Sequence, residues 1–169
     1  GVDVVFHNVA QVPLARDREL FDSVNRLGTL TMLEAARRQG VGKVVYTSSS
    51  AIYGVPRTNP VTEVTPPSPG EAYGAAKLAG EVLCRQYAAA GLDVSIIRPR
   101  TILGFGRLGI FQILFEWIRE GANVPVLGAG DNRYQFFHAD DLAAACILAG
   151  DRPGSDDFNC GAAEFGTMR

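Results

Sequence analysis

KVVYTSSSAIYG, residues 43–54, decides the fold. The run passes through Val44, Val45 and Tyr46 without an apolar–polar alternation, then meets Ser48, Ser49 and Ser50 in a row before Tyr53 and Gly54. A short continuous apolar run of this kind reads as a strand buried on both faces. Ordinary strand ends turn with Gly, Asn or Pro. Three hydroxyls in that place indicate either a solvated loop or a surface that handles a ligand's hydroxyl groups.

Outward from this strand, apolar β-branched runs alternate with helical patterns. VDVVFH (2–7) reads as a buried strand. The segment from Arg16 to Gln39 reads as a helix, with Leu20, Val24, Leu27, Leu30 and Leu33 near helical spacing and Gly40 as its stop. VGKVVYTS (41–48) is the next strand, and the proline-rich stretch 55–71 is a loop. A second helix is expected over Ala72 to Ala90, and DVSIIRPR (93–100) is a third strand, stopped by Pro99. Strands separated by helices and joined by short connections mean a parallel sheet covered on both faces, a doubly wound α/β fold. Its ligands belong beyond the carboxyl ends of the strands.

After residue 103 the pattern changes. LGFGRLG is a glycine-rich turn, followed by an amphipathic helix over about 110–120, short extended pieces and a helix at 140–149. DFNCG (157–161) is expected to return a strand to the sheet. The chain therefore divides into 1–103, a doubly wound sheet with its helices, and 104–169, mainly a small, less regular appendage.

Bulk properties narrow the function. With 169 residues, 47% hydrophobic and 20% charged, the chain can bury a core of its own. A net charge of −2 gives no electrostatic case for nucleic acid or an anionic membrane. No apolar run approaches the roughly 20 residues that span a bilayer. Cys84, Cys146 and Cys160 show no paired spacing, and two of them sit in apolar, periodic runs where cysteine reads as a small core residue, which fits a reducing cytoplasm. His7 and His138 are far apart, so no metal site is expected.

The chemistry sits in YGAAK (73–77). Positions i and i+4 share a helix face, so the Tyr73 phenol and the Lys77 ammonium can lie side by side. A positive charge beside a phenol favours the phenolate, which equips the pair to take or return a hydroxyl proton. Taken alone, such a pair is more often a solvated surface contact. The serines alter that balance, because the end of strand 43–48 and the start of helix 72–90 converge at the edge where ligands bind. A serine hydroxyl there can bond the same substrate oxygen that Tyr73 deprotonates.

These motifs together resemble the extended short-chain dehydrogenase/reductases, in particular the NAD-dependent epimerase/dehydratase family. DVVFHNVA, NRLGTLTMLEAAR, YTSSSAIYG, YGAAK, IIRPRTILGFGR and NRYQFFHADDLA match family segments in order along nearly the whole chain. The resemblance implies a Rossmann-like fold, NAD or NADP as cofactor, a nucleotide sugar as substrate and a homodimer formed through the helices at 16–39 and 72–90. It assigns Tyr73 as catalytic acid–base, Ser49 as the catalytic hydroxyl, and Lys77 as the residue that holds the nicotinamide ribose and depresses the Tyr73 pKa. It places Val9, Ala10, Asn25, Ser48 and Pro99 along the cofactor, and Ser50, Arg107 and Arg133 toward the substrate.

Departures from the family pattern refine this. Sugar dehydratases resemble Thr-Asp-Glu where this chain has Ser49-Ser50-Ala51, so no carboxylate follows Ser49 and elimination of water is not expected. Tyr134-Gln135 occupies the place of an Arg-Asp pair, which leaves the phosphate-binding role to Arg133 or Arg107. Asn8 stands where a hydrophobic residue is usual. The family's glycine-rich pyrophosphate turn is not among these residues, and GFGRLG (104–109) is similar to it only in spelling. The reading is thus an internal stretch of a longer enzyme, one that binds cofactor poorly by itself. The expected activity is epimerisation of a nucleotide sugar through an NAD(P)-dependent oxidation and reduction. Reduction of a non-sugar ketone and cofactor sensing without turnover are the competing functions, the latter disfavoured by an intact Ser-Tyr-Lys set.

Overall fold

The computed structural model describes residues 1–11, 22–106, 111–126 and 128–167. Strand β1 (Val4–His7) is followed by helix α1 (Gly28–Arg38), which a π-helical turn, Ser23–Leu27, precedes. Then come β2 (Lys43–Thr47), a 3₁₀ turn (Ser50–Tyr53), α2 (Ala72–Ala89) and β3 (Val94–Pro99). The rest comprises β4 (Thr101–Leu103), α3 (Phe111–Arg119), β5 (Phe136–His138), α4 (Ala139–Asp151) and β6 (Asp156–Cys160). Of the helix expected from Arg16, the part before residue 22 lies outside the described residues.

β1, β2, β3 and β6 form one sheet in that order, every pair parallel. β4 and β5 pair in a separate parallel ribbon. The expected α/β class with a parallel sheet is what the chain adopts. Alternation along the strands divides the core into two layers. Val44, Tyr46, Val94 and Ile96 face α1 and α2, where Leu33, Ala36 and Cys84 complete the cluster. Val45 and Ile97 face the other way, against Cys146 and Ala149 of α4. Burial on both faces explains why β2 and β3 read as unbroken apolar runs. Each fully buried Leu or Ile contributes about 2 kcal/mol.

At the amino end of the sheet, buried Lys43 donates to Asp93 Oδ1, the Arg152 carbonyl and the Gly154 carbonyl, each at 2.8 Å. This fastens the start of β2 to the turn that leads into β6. At the carboxyl end, the Thr47 hydroxyl donates to Asn8 Oδ1 at 2.5 Å. That bond accounts for Asn8: a polar side chain there joins the ends of β1 and β2. Among the described residues no helix is long and apolar enough to cross a membrane.

Candidate active site at the carboxyl edge

Strand β2 ends at Thr47, and the serines carry the chain into the 3₁₀ turn. Ser49 caps that turn: its backbone is extended and its hydroxyl accepts from the Ala51 N–H at 3.2 Å. Ser48 is buried directly behind the turn. Ser50 is half-buried and accepts from Arg100 Nη1 at 3.4 Å.

Helix α2 begins directly over this turn. At Gly74 an added Cβ would lie 2.4 Å from the Ala51 carbonyl oxygen, so only glycine lets the first helical turn approach so closely. This contact seats Tyr73, half-buried in that first turn, next to the serine segment. Lys77 follows one turn later with 3% of its surface exposed. Its ammonium donates to the Thr47 carbonyl at 2.7 Å and lies 5.1 Å from the centre of the Tyr46 ring. Burial pulls the Lys77 pKa down from 10.5 to about 8, against the opposing influence of Cys84 and Glu81.

The segment after β1 forms the neighbouring wall. Val9 is exposed and Ala10 half-buried. Asn25, buried in the π-helical turn, accepts from the Gln11 N–H at 2.9 Å and donates to the Gln11 carbonyl at 3.2 Å. Its amide thus clamps the backbone that carries Val9 and Ala10. Beneath it, Thr29 donates to the Asn25 carbonyl at 2.8 Å and contacts His7 Nε2 at 3.0 Å. Because the single Thr29 proton is committed to Asn25, His7 Nε2 is the donor in that contact. Burial, and then the charge on Lys77, press the His7 pKa from 6.5 to about 4. Pro99 is buried at the end of β3, opposite Cys160 of β6.

The sheet therefore brings Ser48, Ser49, Ser50, Tyr73, Lys77, Val9, Ala10 and Pro99 to one edge, with Asn25 behind them. Arg133 belongs to a different segment, ahead of β5, where its guanidinium stacks 4.6 Å from the centre of the Phe165 ring. Arg107 lies outside the described residues.

Sequence reasoning overlooked a buried ionic cluster behind the serine turn. Arg98, in β3, pairs with Glu81 of α2, and Arg98 and Arg85 both reach Asp157. Burial opposes charge on both members of the central pair, yet their mutual bonds hold the Arg98 pKa above and the Glu81 pKa below its ordinary value. The signal was present: a charged residue inside the apolar run SIIRP requires a buried partner. Glu81, at i+4 from Lys77, supplies it from the same helix face.

The model of the NAD dependent epimerase/dehydratase family matches residues 1–161. The uncharacterized protein y4nG of Sinorhizobium fredii is 58% identical over 100% of this chain and 43% of its own length. The UDP-glucose 4-epimerase of Mycolicibacterium smegmatis is 36% identical over 94% of this chain and 54% of its own. Among solved structures, the UDP-glucuronic acid 4-epimerase of Bacillus cereus, in complex with UDP-glucuronic acid and NAD, superimposes with a TM-score of 0.86 at 26% identity. That match covers 98% of this chain and 56% of the other. The chain thus spans about half the length of these relatives, and it belongs to the NAD-dependent epimerase/dehydratase family.

Proposed function

We propose that the protein to which this chain contributes is an NAD-dependent nucleotide-sugar epimerase, with Ser49, Tyr73 and Lys77 as its reacting groups. The observation that carries the reading is the seating of α2 on the serine turn through Gly74. It supports a site made of a phenol, a buried ammonium and a serine hydroxyl at the edge of a parallel sheet where such folds hold their ligands. The family match and the epimerases among the relatives support the substrate class.

The residues fit a nicotinamide dinucleotide. Lys77 has three N–H donors, and the Thr47 carbonyl takes one, so the ammonium can also hold a ribose diol. The Asn25 clamp on Gln11 fixes the backbone along which the cofactor would run. A bound nicotinamide would supply the hydride acceptor and donor for the sugar carbon. Tyr73 takes the proton from the sugar hydroxyl at its phenol oxygen, and the Lys77 charge favours the phenolate that does so. Ser49 donates a hydrogen bond to the same substrate oxygen as it becomes a carbonyl. Tyr73 would then return its proton to that oxygen as the ketone is reduced on its opposite face, which would invert the carbon.

The test is Tyr73→Phe in the protein as its gene encodes it, assayed with UDP-glucose and related nucleotide sugars. Turnover should fall about 10²- to 10⁴-fold, the range for loss of a general acid–base. NAD affinity, measured by calorimetry, should stay the same. Turnover near that of the unaltered protein would overturn the proposal.

A further inference from the structure

The buried cluster behind the serine turn is organised around one side chain. Arg98 is 2% exposed and Glu81 fully buried. Arg98 Nε donates to Glu81 Oε1 and Nη2 to Oε2, both at 2.8 Å, a two-pronged contact that fixes distance and orientation together. Nη2 also reaches Asp157 Oδ2 at 2.6 Å. Nη1 donates to the Tyr53 hydroxyl at 2.9 Å, and Tyr53 in turn donates to Asn159 Oδ1 at 2.9 Å.

The two ends of this contact set matter. Glu81 stands on the α2 face that carries Lys77 one turn earlier and Tyr73 two turns earlier. Tyr53 closes the 3₁₀ turn that Ser49 opens. A single guanidinium is therefore bonded both to the helix bearing the acid–base pair and to the turn bearing the serine. Stability alone gives no reason for such a pair, since well-packed apolar residues usually hold a core as well as a buried ion pair does. What apolar packing does not supply is direction: a forked ionic contact has one satisfactory geometry.

The geometry points to Arg98 as a positioning residue for the reaction proposed above: acting through Glu81 and Tyr53, it sets where Ser49 stands relative to Tyr73 and Lys77, and it touches no substrate. The inference rests on the Ser49–Tyr73–Lys77 reading. It extends that reading from three reacting groups to the brace that holds them in register.

Tyr53→Phe and Glu81→Gln keep the shape of each side chain and test the brace, with Tyr73→Phe measured beside them in the protein as its gene encodes it. For Tyr53→Phe and Glu81→Gln, kcat for nucleotide-sugar epimerisation should fall about 10- to 100-fold, the scale of a small misplacement of reacting groups. KM for the sugar and Kd for NAD should stay within about two-fold, and near-ultraviolet circular dichroism should be unchanged. Arg98→Lys, which keeps the charge and loses the fork, should lower kcat by a similar factor. Normal kcat per folded molecule in both Tyr53→Phe and Glu81→Gln, with Tyr73→Phe inactive, would overturn the brace and leave the site reading in place. An active Tyr73→Phe would overturn the site reading, and the brace with it.

Discussion

The Lys77 ammonium donates to the Thr47 carbonyl oxygen at 2.7 Å, so α2 is tied to the last residue of β2 through a charge almost wholly removed from water. That removal is costly. The drop in pKa from 10.5 to about 8 means that the folded chain holds this proton less tightly than the unfolded chain does. At about 1.4 kcal/mol per unit, the charged form costs about 3 kcal/mol near neutral pH. Between pH 8 and 10.5 the unfolded state binds the extra proton, so stability should rise with pH across that window. Lys77→Met should raise stability at pH 7 by about 1–3 kcal/mol, offset by the lost Thr47 bond, and should remove the alkaline rise. Urea unfolding at pH 7 and at pH 10 reads both effects; a Met variant less stable than the unaltered chain at pH 7 contradicts the argument. Turnover should be lost in the same variant.

The other buried lysine should behave in the opposite way. Lys43 spends its three donors on three acceptors, Asp93, Arg152 and Gly154. Lys43→Met strands all three, including a carboxylate 27% exposed. A loss of about 3 kcal/mol is expected, as for breaking a buried pair from one side. Its site lies at the end of the sheet away from Ser49, so kcat per folded molecule should not change. A stability equal to that of the unaltered chain would show that water replaces the ammonium without cost.

His7 should make the fold acid-sensitive. Its pKa is about 4 in the fold against 6.5 for an unperturbed histidine, so below pH 6.5 the unfolded state gains a proton that the folded state refuses. Stability is therefore complete above pH 6.5 and declines as pH falls toward 4, by about 3 kcal/mol from this residue. His7→Asn should flatten that part of the pH–stability curve. An unchanged slope in the variant would mean that other groups produce the acid sensitivity.

Gly74→Ala should separate α2 from the serine turn. The new methyl group would meet the Ala51 carbonyl carbon at 3.0 Å as well as its oxygen at 2.4 Å, and backbone cannot yield as a flexible side chain can. A destabilisation of about 1–3 kcal/mol is expected from overpacking, with a fall in kcat larger than any change in KM. Wild-type kcat in this variant would remove the contact as the determinant of the site's geometry.

The fold was legible because β2 and β3 are buried on both faces, and such strands must be continuous apolar runs: KVVYT and VSIIRP have no solvent side to betray with polar residues. Helix α2 was legible for the converse reason, its small and apolar residues recurring at helical spacing up to Gly91. The convergence of Tyr73 and Lys77 with the serines follows from topology, since parallel strands send all their carboxyl ends to one edge. Asn25 was legible as a residue type, but its partner was not: a hydrogen bond to the backbone of Gln11 leaves no mark on the identity of residue 11. The Arg98–Glu81 pair escaped because the two residues lie on different elements, and nothing in either local pattern names the other. Arg133 illustrates the same limit, since its ring partner, Phe165, comes from a distant segment.

The all-parallel pairing has a kinetic consequence. Val4 meets Lys43, Val44 meets Val94 and Ser95 meets Asp156, so among the described residues no strand of this sheet pairs with its neighbour across a tight hairpin. Each pairing must close a loop of about forty to sixty residues before any ladder bond repays the lost chain entropy. The helices can form early from local contacts, whereas the sheet that aligns Ser49 with Tyr73 assembles only once these closures are made. A chain of this topology should fold slowly for its size, and the edge that carries the reacting groups should be among the last features to acquire its final geometry.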